Sequence, residues 1–464
     1  MNSLNEEKFL NDVFLTLKKY VAENTLETPV IKSSTPIEMN KLVPEINMTG
    51  VSVEQFKNEL EFILDRSVRT THPLFLNQLF GGSDPFALIG DVVGSLLNPT
   101  MATFEVAPVV TIIEKRLVKE LLKLTGLGTG EGIMVTGGSN ANLLSMLCAR
   151  TDYNPSIRQT GFTHNNFRVY VSSEAHYSFD KAANIIGLGT QNLILVPSND
   201  KGEMIPEELD RIIAADIKDG FTPLMIGATI GTTVLGAFDP LVKISQIAQK
   251  YGVWFHVDAA WGGGVIFSKH HANMAPGLEF ADSITFDAHK TLGVSLVTSF
   301  FLTKRTGILR STTRGGGAEY LFHDEERFEW DTGTYSLQCG RRADALKLWF
   351  LWRAYGTKGL MERTDRLFEL AEYAKQQVLK RKSFKLYHAN YLNICFQVIP
   401  EDGSNINEHT QKVRQKLISK GMAMVNYAER PDGTIFFRLV LPNHKTTKEH
   451  IDHLFDMIEN EGRN

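Results

Sequence analysis

The chain has 464 residues, of which 43% are hydrophobic and 22% charged, with a formal net charge of −4. That balance describes a globular protein of two or three domains with a large core, and it excludes a polybasic nucleic-acid-binding surface. No stretch is long and apolar enough to span a bilayer, and the N-terminus, charged from its sixth residue onward, lacks the apolar core of a signal peptide.

Residues 4–22 carry Phe9, Leu10, Val13, Phe14, Leu17, Tyr20 and Val21 at helical spacing, which predicts an amphipathic helix. A Pro/Thr/Ser/Glu-rich loop is expected over 25–50 and a second helix over 52–65. From about 100 to 310, helical patterns alternate with short apolar runs: GIMVT (132–136), FRVYVS (167–172), LILVP (193–197), PLMIGAT (223–229), VWFHVD (253–258), SITFD (283–287) and SFFLT (299–303). Near-continuous apolar strands between helices predict an α/β domain, with a mostly parallel seven-stranded sheet covered on both faces. Beyond 345 come a long helical stretch (343–380), strand-like NICFQVIP (393–400), a helix (408–420), strand-like IFFRLVLP (435–442) and a last helix (446–461). The expected organisation is an N-terminal helical segment (1–65), a large domain (66–342) and a small C-terminal α+β domain (343–464). Cys148, Cys339 and Cys395 are scattered, odd in number and match no metal-ligand spacing. They read as reduced thiols in a cytoplasm-like compartment, and the sequence offers no metal site.

Ligands of open α/β sheets sit at the carboxyl ends of the strands, and five runs here end in groups able to act on one ligand. GIMVT leads into Gly137-Gly138-Ser139-Asn140-Ala141-Asn142 and then a helix, a turn where backbone N–H groups favour an anion such as phosphate. By itself the turn could equally be a plain strand-to-helix connection with a Ser cap. FRVYVS ends near His176, which could stack on a planar cofactor or move a proton, although a lone histidine is more often structural. PLMIGAT ends in Thr229, Ile230, Gly231, Thr232 and Thr233, a hydroxyl-bearing turn. VWFHVD ends in Asp258, followed by Ala259, Ala260 and Trp261. A buried carboxylate needs a cationic partner, and a protonated pyridine nitrogen is one. The small Ala260 leaves room for a flat ring. SITFD continues into Ala288-His289-Lys290, where a desolvated lysine becomes a nucleophilic amine.

In that chain order, a phosphate cradle, a histidine, a hydroxyl turn, an aspartate and a His-Lys pair resemble the site of fold-type I pyridoxal-phosphate (PLP) enzymes. Longer strings sharpen the likeness: THPLFLNQLFGGSDPFAL (71–88), TFEVAPV (103–109), ATIGTTVLGAFDPL (228–241), HVDAAWGG (256–263), HKTL (289–292), DTG (331–333) and LQCGRRADALKLW (337–349). With these the chain resembles the group II PLP-dependent amino-acid decarboxylases, in the branch of the cysteine sulfinate and glutamate enzymes. The resemblance implies that Lys290 holds PLP covalently and that Asp258 pairs with the pyridinium nitrogen. It puts His176 and Ala260 on the two faces of the ring. Gly138, Ser139 and His289 would contact the phosphate, and Thr229 or Thr232 the ring oxygen. Gln78 and Arg438 match positions facing substrate carboxylates, and Phe80 and Thr100 match specificity positions. The same resemblance implies a cytoplasmic homodimer with the active site at the interface. The implied reaction is loss of CO2 from a small acidic L-amino acid, with aspartate or cysteine sulfinate ahead of glutamate because Phe80 is bulky. A basic or aromatic substrate such as 2,4-diaminobutyrate, or another fold-type I reaction, is the alternative.

Two positions depart from the family pattern. The lysine motif is Asp-Ala-His-Lys, where animal relatives usually carry Asn-Pro-His-Lys, so Asp287 brings a negative charge near the phosphate unless it is turned away or paired with a cation. Before DTG the glutamate enzyme has a tyrosine associated with protonating Cα, and here Trp330 has no acidic hydroxyl. His176 is the first candidate for that proton and Tyr335 the second.

Overall fold

The computed structural model describes residues 5–46, 48–162, 166–316, 320–322 and 329–463. Their strands, in chain order, are β1 (Phe75–Leu76), β2 (Glu131–Val135), β3 (Phe167–Ser172), β4 (Leu193–Val196), β5 (Thr222–Thr229) and β6 (Trp254–Ala259). There follow β7 (Ser283–Asp287), β8 (Ser299–Thr303), β9 (Phe384–Asn390), β10 (Asn393–Val398), β11 (Met424–Glu429) and β12 (Ile435–Val440). The chain divides into two compact units, Met1–Gly82 with Leu370–Ala389 and Asn393–Asn464, and Ser83–Glu369 with Asn390–Leu392.

The second unit is built on a seven-stranded sheet of order β2-β8-β7-β6-β5-β3-β4. Strands β4, β3, β5, β6 and β7 pair in parallel, and β8 runs antiparallel to both β7 and β2. The apolar runs predicted this sheet to within a residue or two at each end. Two runs also hide a second pattern. His256 and Asp258 alternate along β6, and Ser283, Thr285 and Asp287 alternate along β7, so these side chains share one face of the sheet. The register pairs His256 with Ser283 and Asp258 with Thr285. Helix Gly138–Tyr153 packs on this face, against β5 to β8.

The first unit holds a five-stranded sheet of order β1-β11-β12-β10-β9, with β11, β12 and β10 antiparallel and β1 joined to β11 in parallel. Helices Glu6–Ala22 and Val53–Arg66 lie close to the expected spans, while the region expected as loop contains a further helix, Pro36–Leu42, opened by a capping box from Thr35 and Glu38. The helical stretch expected over 343–380 is two helices within Ala345–Lys380, interrupted where Gly356 takes φ 66° and ψ 173°. The units are not consecutive stretches: N-terminal residues cluster with C-terminal ones, a pairing that no periodicity in the chain announces.

Within the second unit, Glu114 and Arg341 are both buried and form a bidentate pair with N–O distances of 3.0 to 3.2 Å. Arg341 also donates to Thr332 Oγ1 at 2.7 Å, and Asp331 accepts from the Phe104 N–H at 2.8 Å. With the Gly333 N–H donating to the Ala102 carbonyl at 2.8 Å, each residue of the DTG segment is held. Tyr391 takes a positive φ of 52° and is buried. Its hydroxyl bonds Thr291 Oγ1 at 3.0 Å and the Trp261 carbonyl at 3.1 Å, directly behind the turn that carries Lys290.

Candidate active site

The carboxyl ends of β2, β3, β5, β6 and β7 surround a cavity of about 240 Å³ in the second unit. It is lined by Gly138, Ser139, His176, Thr229, Asp258, Ala260, His289 and Lys290, all expected from the sequence, and by Asn142, Tyr177, Gly231, Thr233, Trp261 and Asp287.

Each side chain arrives there for a local reason. Helix Gly138–Tyr153 starts after Gly137 with no side-chain cap, so its first-turn N–H groups are not taken by a capping oxygen. A Cβ on Gly138 would lie 2.9 Å from Asp287 Oδ2 and 3.2 Å from Ala260 Cβ, so only glycine keeps this corner open. Gly231 has φ 76° and packs so closely on the backbone of Gly262 that an added Cβ would sit 2.5 Å from its nitrogen.

Asp258 closes β6 and is buried, with Oδ2 accepting from Asn142 Nδ2 at 2.8 Å and Oδ1 from the Ala260 N–H at 3.0 Å. Behind it, Asn142 Oδ1 accepts from Thr285 Oγ1 at 2.8 Å and lies 3.1 Å from His256 Nε2. His256 Nδ1 lies 2.8 Å from Ser283 Oγ, which accepts from the Trp254 indole N–H at 2.9 Å. Complete burial pushes His256 down to about 3, so the ring is neutral and its Nε2 carries the proton given to Asn142. This supporting row was not singled out from the sequence. The available signal was the period-two spacing of His256 and Asp258 inside an otherwise apolar run.

Lys290 sits three residues beyond β7, on the short helix Ala288–Thr291, its Nζ 3.2 Å from Asp287 Oδ2. His289 Nδ1 lies 3.1 Å from the Thr298 carbonyl, and burial lowers its pKa, partly opposed by Asp287. His176 Nδ1 accepts from the Ser178 N–H at 3.2 Å, which leaves Nε2 as the protonated nitrogen. Burial lowers the pKa of this ring too, with Asp258 pulling the other way. Thr229 and Thr232, left open by the motif, differ here. Thr229 lines the cavity, whereas Thr232 Oγ1 accepts from the Ala237 N–H within its own turn. The main-chain N–H of Thr229 is held at 2.7 Å by Asp239, whose carboxyl is pushed up to about 7 by complete burial.

Other expected residues lie outside this lining. Tyr335 is in a cationic surround, with the Lys115 ammonium 5.4 Å and the Arg310 guanidinium 4.8 Å from its ring, and burial raises its pKa. Lys115 also lies 5.4 Å from the Trp330 ring. Thr100 donates to the Cys339 carbonyl at 3.3 Å. Gln78, Phe80 and Arg438 belong to the first unit. Gln78 is exposed there, Phe80 packs on Phe75 at 5.7 Å, and buried Arg438 donates to the Asn77 carbonyl at 2.8 Å.

An amine, a buried carboxylate opposite it and an uncapped helix start at a glycine corner define the site of a PLP-dependent enzyme. Residues 36–399 match the family described as the pyridoxal-dependent decarboxylase conserved domain, and the chain belongs to that family. It is 36% identical to the cysteine sulfinic acid decarboxylase of Mus musculus, over 98% of this chain and 95% of that protein. It is 35% identical to the acidic amino acid decarboxylase GADL1 of Xenopus tropicalis, over 100% and 94%. The crystal structure of mouse CSAD superposes with a TM-score of 0.96 at 34% identity, each chain covered completely. The tryptophan decarboxylase of Catharanthus roseus shares the fold, with a TM-score of 0.88 at 24% identity over 100% of this chain and 99% of that one.

The protein is therefore a PLP-dependent carboxy-lyase, and its residues fit the cofactor on structural grounds. The Gly138 corner would be filled by any side chain. Thr229 Oγ1 is buried on the lining with no hydrogen-bond partner, a hydroxyl open to a bound group. The remaining groups supply one amine, one carboxylate and a set of N–H donors.

Proposed function

We propose that the protein decarboxylates a small acidic L-amino acid, aspartate or cysteine sulfinate, giving the amine and CO2. The observation that carries this reading is the likeness, over nearly the whole chain, to relatives named for cysteine sulfinic acid and acidic amino acids, together with a cavity in which Lys290 and Asp258 both line the wall.

Bound PLP supplies the electron sink for the pair left behind when CO2 departs. Lys290 holds the cofactor through its ε-amine. Asp258, oriented by Asn142 and the Ala260 N–H, presents a carboxylate to the ring nitrogen. His176 and Ala260 would flank the ring, Thr229 would meet its oxygen, and Gly138, Ser139 and His289 would hold the phosphate. Because His176 Nδ1 is occupied by Ser178, its Nε2–H is the proton it can deliver to Cα. The family likeness offers Arg438 and Gln78 as candidates for recognising substrate carboxylate, and Phe80 and Thr100 as candidates for setting chain-length preference.

The reading includes a cytoplasmic homodimer. Leu96 at 79%, Leu97 at 61%, Val106 at 54% and Val109 at 68% exposure are large apolar side chains left on the surface of the second unit, of the kind a second copy would cover. The three free thiols favour a reducing compartment. A monomer by light scattering at micromolar concentration would remove the dimer from this reading.

The deciding experiment offers aspartate, cysteine sulfinate, glutamate, 2,4-diaminobutyrate and an aromatic amino acid to the PLP-loaded protein, with products identified by mass. β-Alanine or hypotaurine as the main product is expected. Dominant release of a diamine or an aromatic amine overturns the acidic-substrate reading. One methylene of chain length is worth only about 1–3 kcal/mol, so a minor glutamate activity is compatible with it.

A further inference from the structure

Asp287 ends β7 and is 3% exposed. Its Oδ2 lies 3.2 Å from Lys290 Nζ and 3.8 Å from His289 Nε2, and its Oδ1 makes no hydrogen bond. The same Oδ2 stands 2.9 Å from the point a Cβ on Gly138 would occupy. The carboxylate therefore faces the first turn of helix Gly138–Tyr153, the corner at which a phosphate is best received. Two anions at one helix start repel each other, and burial weakens the solvent screening that would soften this. Of the two partners, the Lys290 amine is the nearer to this carboxylate.

We propose that Asp287 is a positioning residue that ties the Lys290 amine beside the helix start and whose charge opposes the cofactor phosphate, so that this chain binds PLP more weakly than its Asp287→Asn variant. The proposal rests on the reading that Gly138 and Ser139 receive the phosphate. An amide has nearly the carboxylate's shape, so the exchange removes charge with little change of volume. The opposition acts on the phosphate, which separates it from any effect on the amine alone: pyridoxal, which lacks the phosphate, feels only the latter.

The test titrates cofactor-free protein with PLP and with pyridoxal, following the absorbance of the bound chromophore. Asp287→Asn is expected to lower the Kd for PLP by about tenfold or more and to change that for pyridoxal much less. Inorganic phosphate is expected to compete with PLP about tenfold more effectively in the variant. An unchanged or higher Kd for PLP, or equal shifts for PLP and pyridoxal, overturns the proposal. Asp287→Ser is carried alongside in case the amide disturbs folding, with the same expected order of affinities. Gly138→Ala checks the underlying reading separately. If it leaves PLP and phosphate binding intact, the phosphate is not received at this corner, whatever Asp287 does.

Discussion

The carboxylate of Asp258 is held by the side-chain amide of Asn142 at 2.8 Å, across 116 residues of chain. Asn142 is itself oriented, because its oxygen is committed to Thr285 and His256. The amide therefore turns its nitrogen toward Asp258, and the aspartate is presented as an acceptor of fixed direction.

Replacing Asn142 by Ala should leave Asp258 short of a donor and His256 and Thr285 short of an acceptor, all in a buried site. Unsatisfied buried groups cost about 1–3 kcal/mol each. The urea midpoint should fall and the Kd for PLP should rise by about tenfold or more. Normal affinity in a destabilised protein would show that Asn142 supports the fold alone.

Gly138→Ala should behave differently. The added methyl meets Asp287 Oδ2 at 2.9 Å and Ala260 Cβ at 3.2 Å, both on the cavity wall. Cofactor affinity should drop about tenfold or more while the thermal midpoint of the cofactor-free protein moves by only a few degrees. Equilibrium dialysis against PLP, paired with calorimetry, separates the two effects.

His176→Phe keeps a flat ring and removes the Nε2–H. PLP should stay bound, with its visible absorbance retained, and turnover should fall about 100-fold or more, the usual scale for losing a general acid. Near-normal turnover would falsify the assignment of the Cα proton to His176. Tyr335→Phe is then the comparison, since Tyr335 lies outside the cavity lining and its pKa is raised by burial.

His256 makes stability pH-dependent. Its pKa in the folded protein is about 3, below its ordinary value, so between these pH values the unfolded chain binds a proton that the folded chain refuses. The stabilisation is complete above about pH 6.5 and is lost progressively as the pH falls toward 3. A His256→Asn variant should show a flatter fall of thermal midpoint between pH 6.5 and pH 4 than the parent. Parallel curves would mean that other groups carry the acid sensitivity.

The large sheet was legible because its inner strands are buried on both faces and read as apolar runs, as in FRVYVS and SFFLT. The cavity-lining ends of those strands were legible because Asp258 and Lys290 are costly residues at the mouths of such runs. The row behind them was not. His256, Ser283 and Thr285 alternate with Phe255, Ile284 and Phe286, and a buried polar side chain at a strand position shows its partner only once the register is known. β1, β9 and β11 escaped for a related reason. β1 is two residues long, and β9 and β11 are only partly buried, so their sequences carry no continuous apolar signal. The gathering of N-terminal and C-terminal segments into one unit is a matter of long-range contacts, which local pattern does not encode.

The hydroxyl of Tyr391 sets an order of events. Every residue lining the cavity lies between Gly138 and Lys290, yet the tie behind Thr291 comes from a side chain 100 positions later. On a ribosome, the whole lining has been synthesised long before that tie exists. A nascent chain stopped short of Tyr391 holds Lys290 on a turn whose Thr291 donates to the Trp261 carbonyl but lacks the Tyr391 hydroxyl. The lining of the cavity is synthesised well before this brace, which arrives 100 positions after the residue it holds.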